Sequence, residues 1–74
     1  MPKTIMTHHV KSQMIEREVS VHDARNIAKN GKIIKSGLDG IIIRTGKGYN
    51  NRPIEVVTKE FNSKIIIITA YYAD

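Results

Sequence analysis

Lys64-Ile65-Ile66-Ile67-Ile68-Thr69-Ala70-Tyr71-Tyr72 is the stretch that decides how this chain folds. Isoleucine is β-branched, stiff at χ1, and fits a pleated surface better than a helix. A run apolar on both sides reads as a strand inside a sheet, covered on both faces. Strict alternation puts Ile65, Ile67, Thr69 and Tyr71 on one face and Ile66, Ile68, Ala70 and Tyr72 on the other. So apolar a strand brings a threonine and two of the chain's three tyrosines to its end.

Upstream of this strand the pattern stays β. Phe61-Asn62-Ser63-Lys64 reads as a hairpin turn. Ile54 to Lys59 is a strand with Pro53 at its entry, where a missing N–H is tolerable. Gly46 to Asn51 is dense in turn formers. Gly40 to Thr45 and Lys32 to Ser36 are two more strands, separated by a break at Ser36-Gly37. Before Gly31 the period is helical. Val10, Met14 and Ile15, with the stem of Arg17, mark a first helix from Thr7 to Glu18, capped by Thr7. Ser20-Val21-His22-Asp23 resembles a capping box and opens a second helix with Ala24, Ile27 and Ala28 as its apolar stripe. Asn30-Gly31 closes that helix, glycine accepting the left-handed conformation. Residues 1–6 read as a lead-in. The expected architecture is one α+β domain over 1–74: two N-terminal helices packed on a four-stranded antiparallel sheet. Two short helices cover one sheet face. The other calls for a curved sheet, a homodimer or a bound protein.

Composition narrows the function classes. The chain has 74 residues, 12 Lys and Arg against 7 Asp and Glu, and a net charge of +5. So small a basic body favours polyanions, nucleic acid first, or an acidic protein. The absence of cysteine excludes disulfides and thiolate metal sites. No run approaches the roughly 20 apolar residues of a membrane span, and no signal-peptide core precedes the first helix. A soluble chain is expected, either whole or a piece of something longer.

Few groups offer reaction chemistry. His8 and His9 are adjacent on a helix and point about 100° apart, so they make a poor metal pair; no metal or other cofactor is expected. His9 suits proton transfer near neutrality, or is simply a solvated first-turn histidine. His22 reads as surface. Thr69 and Tyr71 lie two residues apart on one strand face, able to bind a phosphate or an oxyanion, or merely to be good strand residues with wet ends. Arg44, Lys47 and Arg52 flank the Gly46–Asn51 loop, with Tyr49 among them. Charge for phosphates and a ring for a base suit single-stranded RNA. The spacing there is not that of a P-loop.

His9, Met14, Glu16-Arg17 and Val19-Ser20 resemble the opening of a widespread bacterial domain family of unknown function. That opening runs histidine, three residues, Arg-Met, two residues, Arg-Gly-Ile-Ser. Its closing apolar run and Thr-x-Tyr are matched by Ile68-Thr69-Ala70-Tyr71. The likeness spans about residues 7–72. That family in turn resembles the superfamily of barnase, EndoU, colicin and RelE ribonucleases, many of them toxins with N-terminal helices on a four-stranded antiparallel sheet. The resemblance implies His9 as the proton-transfer group, Thr69 and Tyr71 as holding the scissile phosphate or supporting the base, and Arg17 as a structural or phosphate-binding arginine. Two positions depart from the pattern: Gln13 replaces the family's first arginine and Glu18 its glycine. Arg44 or Lys47 would then supply the missing cation.

What the resemblance implies is a metal-independent ribonuclease toxin cutting RNA, tRNA among the candidates, by attack of the RNA's own 2′-hydroxyl. It would act in the cytoplasm, alone or delivered within a larger secreted toxin. Its expected partners are RNA and an acidic antitoxin or immunity protein. The rival reading is a non-catalytic RNA- or protein-binding module of the same fold.

Overall fold

The structure, a computed structural model, describes residues 3–74. It contains, in chain order, β1 (Lys3–Met6), α1 (His8–Glu16), α2 (Val21–Asn30), β2 (Lys32–Ser36), a 3₁₀ turn (Leu38–Gly40), β3 (Ile41–Lys47), β4 (Pro53–Phe61) and β5 (Lys64–Tyr72). The strands form one sheet in the order β1-β5-β4-β3-β2.

This corrects the expected four-stranded antiparallel sheet. The domain is α+β with two helices, but its sheet has five strands and is mixed, because β1 runs parallel to β5. Lys3-Thr4-Ile5-Met6 is too short to display a period of its own. It becomes a strand because β5 offers it an unpaired edge, with Lys3 opposite Lys64 and Met6 opposite Ile67. The isoleucine run is therefore central over its first half only. Beyond Met6 the chain turns into α1, and Ile68 to Tyr72 has a free edge on that side.

α1 and α2 lie on one face. Val10, Met14, Val19, Ala24, Ile27 and Ala28 pack there against Ile54, Val56, Ile65, Ile67 and Ala70. The facing set reveals a second correction. Val57 pairs with Thr69, yet Thr58 pairs with Ile67, so Ile68 is an extra residue in a β-bulge. The bulge breaks strict alternation. Ile65, Ile67, Ala70 and Tyr72 share the helix-covered face, whereas Ile66, Thr69 and Tyr71 share the other. Thr69 and Tyr71 remain together, but on the open side. The buried half of β5 is thus fixed by apolar burial against the helices, and Thr69 and Tyr71 face out.

The helix ends are locally encoded. Thr7 Oγ1 accepts from Val10 N at 3.2 Å, and Ser20 Oγ accepts from Asp23 N at 3.3 Å. α1 ends in a Schellman motif: Glu18 N–H donates to Ile15 O at 3.1 Å and Val19 N–H to Met14 O at 2.8 Å. Glu18 occupies the left-handed position, φ 60°. Gly31, expected to be left-handed, has φ −69°. Its glycine requirement is spatial, since a Cβ there would lie 2.6 Å from Ile27 O and 2.8 Å from Thr45 O.

Candidate nucleic-acid site

His9 and Gln13 of α1 and Arg17, which caps its C-terminus, stand at successive four-residue steps, one line along the helix. Gln13 Nε2 lies 3.1 Å from His9 Nε2. A glutamine amide can serve either form of the imidazole, donating to a bare nitrogen or, after rotation, accepting from a protonated one. At the end of the line Arg17 Nη1 donates to Thr69 Oγ1 at 2.9 Å and to Ala70 O at 3.2 Å. The guanidinium thus closes onto the free edge of β5 that β1 leaves uncovered. Because Thr69 Oγ1 accepts from Arg17, its own O–H remains available to donate.

Tyr71 stands two residues on. Its hydroxyl donates to Glu55 Oε1 at 2.9 Å across the β4–β5 pair. That hydrogen bond, with burial and the carboxylate's charge adding to it, raises the phenol above its ordinary value. Glu55 escaped the sequence reading. Its one visible signal is a carboxylate between Ile54 and Val56 in a strand; its partner depends on a register that sequence does not show. The structure thus joins Arg17 to Thr69 and Tyr71 to Glu55, and ties His9 to Gln13.

The basic residues named near the loop have separate fates. Arg44 lies on the helix-covered face, where Nε and Nη2 donate to Glu60 at 3.2 and 3.3 Å and Nη1 to Gly31 O at 3.1 Å. This half-buried fork ties the end of α2 to the sheet and is engaged within the fold. Arg52 pairs with Asp74 at 2.9 Å, and its guanidinium stacks 3.7 Å over the Tyr72 ring. Arg52 holds the Asp74 carboxyl below the usual range, chiefly through that hydrogen bond. The loop itself is a bonded turn. Asp23 Oδ2 accepts from Tyr49 N at 2.9 Å instead of completing a capping box, and Asn50 Nδ2 donates to Tyr72 Oη at 2.9 Å. The Tyr49 ring is 79% exposed. Lys47 is exposed at the end of β3 on the open face.

Pairing assigns the rest of that face. Lys3, Lys32, Lys35, Lys47, Lys59 and Lys64 all stand opposite, or in alternation with, residues that point away from the helices. Glu55 is the one carboxylate of the strands on that side among the described residues. Among the described residues, no cluster of three or more His, Asp or Glu side chains is arranged to hold a metal ion. No helix of the described residues is long and apolar enough to cross a membrane.

A family profile described as "Domain of unknown function (DUF4258)" matches residues 6–72, nearly the whole chain. The chain belongs to the DUF4258 family. The match runs from β1 through β5, so it includes every residue of the α1–β5 arrangement: His9, Gln13, Arg17, Thr69 and Tyr71. No curated protein matches this DUF4258 chain.

Proposed function

We propose that this DUF4258 domain is a ribonuclease that cleaves RNA by internal transesterification. The observation that carries the reading is the Arg17–Thr69 contact, which sets a guanidinium and a free hydroxyl donor at one strand edge, on the helix that also bears His9. Arg17 and Thr69 hold the non-bridging oxygens of one phosphate and stabilise the charge that builds there. His9 takes the proton of the attacking 2′-hydroxyl, and solvent supplies one to the departing 5′-oxygen. O2′ forms a bond to phosphorus, the P–O5′ bond breaks, and a 2′,3′-cyclic phosphate remains. Proton transfer of this kind contributes about 10²–10⁴ in rate. Tyr71, already donating to Glu55, acts as the fixed wall beside Thr69; lysines of the open face track the strand's phosphates. tRNA is the first substrate to try. A toxin of this type calls for an acidic antitoxin or immunity protein.

Incubation with total tRNA and with ribosome-bound mRNA, in the presence of EDTA, tests the reading. The parent is expected to cut and His9→Ala to be inactive with an unchanged far-ultraviolet circular dichroism spectrum. Full activity of His9→Ala removes His9 from the mechanism. A folded parent that cuts neither substrate overturns the ribonuclease reading in favour of a binding module, which Gln13, in place of the family pattern's first arginine, also suits.

A further inference from the structure

The sheet face that α1 and α2 leave bare holds the molecule's entire charge imbalance. Six lysines and one carboxylate lie on it. Of 12 basic and 7 acidic residues, the remainder of the molecule keeps six of each and is neutral. Between the outer lysines lie Ile5, Ile41, Ile43, Val57 and Ile66, with Lys59 set among them between Ile41 and Ile66. Beside them the bulged Ile68 is 41% exposed. Nothing else in the described chain covers this surface.

We propose that this face docks an acidic protein segment with an apolar stripe, the stripe seated on Ile41, Ile43, Val57 and Ile66 and its flanking carboxylates meeting the lysines. Charge selects this occupant. A second copy placed face to face would oppose six lysines with six lysines, a like-charge arrangement that costs stability. RNA lying along the lysines, as the ribonuclease reading has it, leaves the isoleucines uncovered. Bases stack on aromatic rings, and between Phe61 at one end and Tyr71 at the other the face carries no ring among the described residues. A helix carrying leucines flanked by glutamates satisfies both parts, burying the isoleucines as α1 and α2 bury the opposite face. Thr69 and Tyr71 lie on this face, so the docked segment also covers the proposed RNA site. The docking surface stands without the ribonuclease reading; only the resulting inhibition rests on it.

Isoleucine δ1-methyl NMR of the full chain supplies the test. The probe is a synthetic helix-forming peptide with leucines at i, i+3, i+4 and i+7 and glutamates elsewhere. The methyls of Ile41, Ile43 and Ile66 are expected to shift saturably, while Ile27 and Ile54 beneath the helices stay fixed. Lys59→Glu and Lys35→Glu, each at an exposed side chain, are each expected to weaken binding about tenfold. A peptide of the same composition with the stripe scrambled is expected to bind at least as weakly. Absence of methyl shifts overturns the proposal, and so does equal binding of the scrambled peptide. A single-stranded oligonucleotide that moves these methyls when the peptide does not makes the face a nucleic-acid surface instead. Methyl shifts that depend on protein concentration alone make it a self-association surface. If the peptide binds but no RNA is ever cleaved, docking holds and the ribonuclease reading falls.

Discussion

Glu18 is held at φ 60° as the left-handed residue that ends α1. A non-glycine residue there bears local strain, and glycine does not. Its backbone carbonyl accepts from Tyr72 Oη at 2.9 Å, a contact that survives loss of the side chain. Glu18→Gly is therefore expected to stabilise the domain by about 0.5–1 kcal/mol, the relief of strain exceeding glycine's extra freedom when unfolded. Urea denaturation checks this, and a destabilised variant would mean that the Glu18 side chain matters more than its backbone. Tyr71 makes a second prediction at this scale. Its raised pKa means that the folded chain favours the neutral phenol. That contribution to stability is complete below the unfolded tyrosine value, about 10, and is lost as pH rises through the folded value. Glu55→Gln removes the charged acceptor, so the Tyr71 ring signal should titrate at lower pH in the variant than in the parent. An unmoved midpoint would show that the Glu55 bond does not govern Tyr71.

At the scale of elements, β1 and the bulge are where local pattern and final structure part company. The helices were legible because each carries its own cap and stripe: Thr7 and Ser20 at the starts, Met14 and Ile27 inside. β2 and β5 were legible from β-branched runs between turn formers. β1 was not, because Lys3–Met6 has no strand signal apart from the β5 edge beside it. The bulge at Ile68 was hidden for a related reason. Inside four identical residues nothing marks which one is extra, and only the helices' demand to bury Ile67 and Ala70 decides it. The pair Thr69 and Tyr71 could be read from spacing, whereas Arg17 on Thr69 and Glu55 on Tyr71 span the chain and needed the fold. Gly46 shows how tightly α2 sits on the sheet, since a Cβ there would come within 2.8 Å of Ile27 Cγ1. Gly46→Ala should push α2 away from β3 and cost about 1–3 kcal/mol, as overpacking of a core does. A thermal melt measures it, and an unchanged midpoint would mean that the Ile27 side chain yields freely.

Across the whole molecule the basic residues fall into two populations that the sequence lumps together. Arg44 and Lys47 lie three residues apart in β3, and the pleat sends them to opposite faces. Arg44 is spent inside the fold: its removal leaves the Gly31 carbonyl without this donor and the half-buried Glu60 with Thr58 Oγ1 in place of a guanidinium. Lys47 stands on the lysine-rich face. If RNA lies along that face, each phosphate neutralised there adds about 0.7 to the downward slope of log affinity against log salt for a single strand. Lys47→Ala should then weaken binding to a single-stranded RNA and flatten that slope by up to one such step, with stability nearly unchanged. Arg44→Ala should do the reverse, costing about 1–3 kcal/mol of stability through the lost charged hydrogen bonds while leaving the slope alone at temperatures where the variant is folded. Titrations at several salt concentrations, paired with urea denaturation of both variants, separate the two. A slope that responds to Arg44 and ignores Lys47 would move the polyanion surface off the open face and onto the edge beside α2.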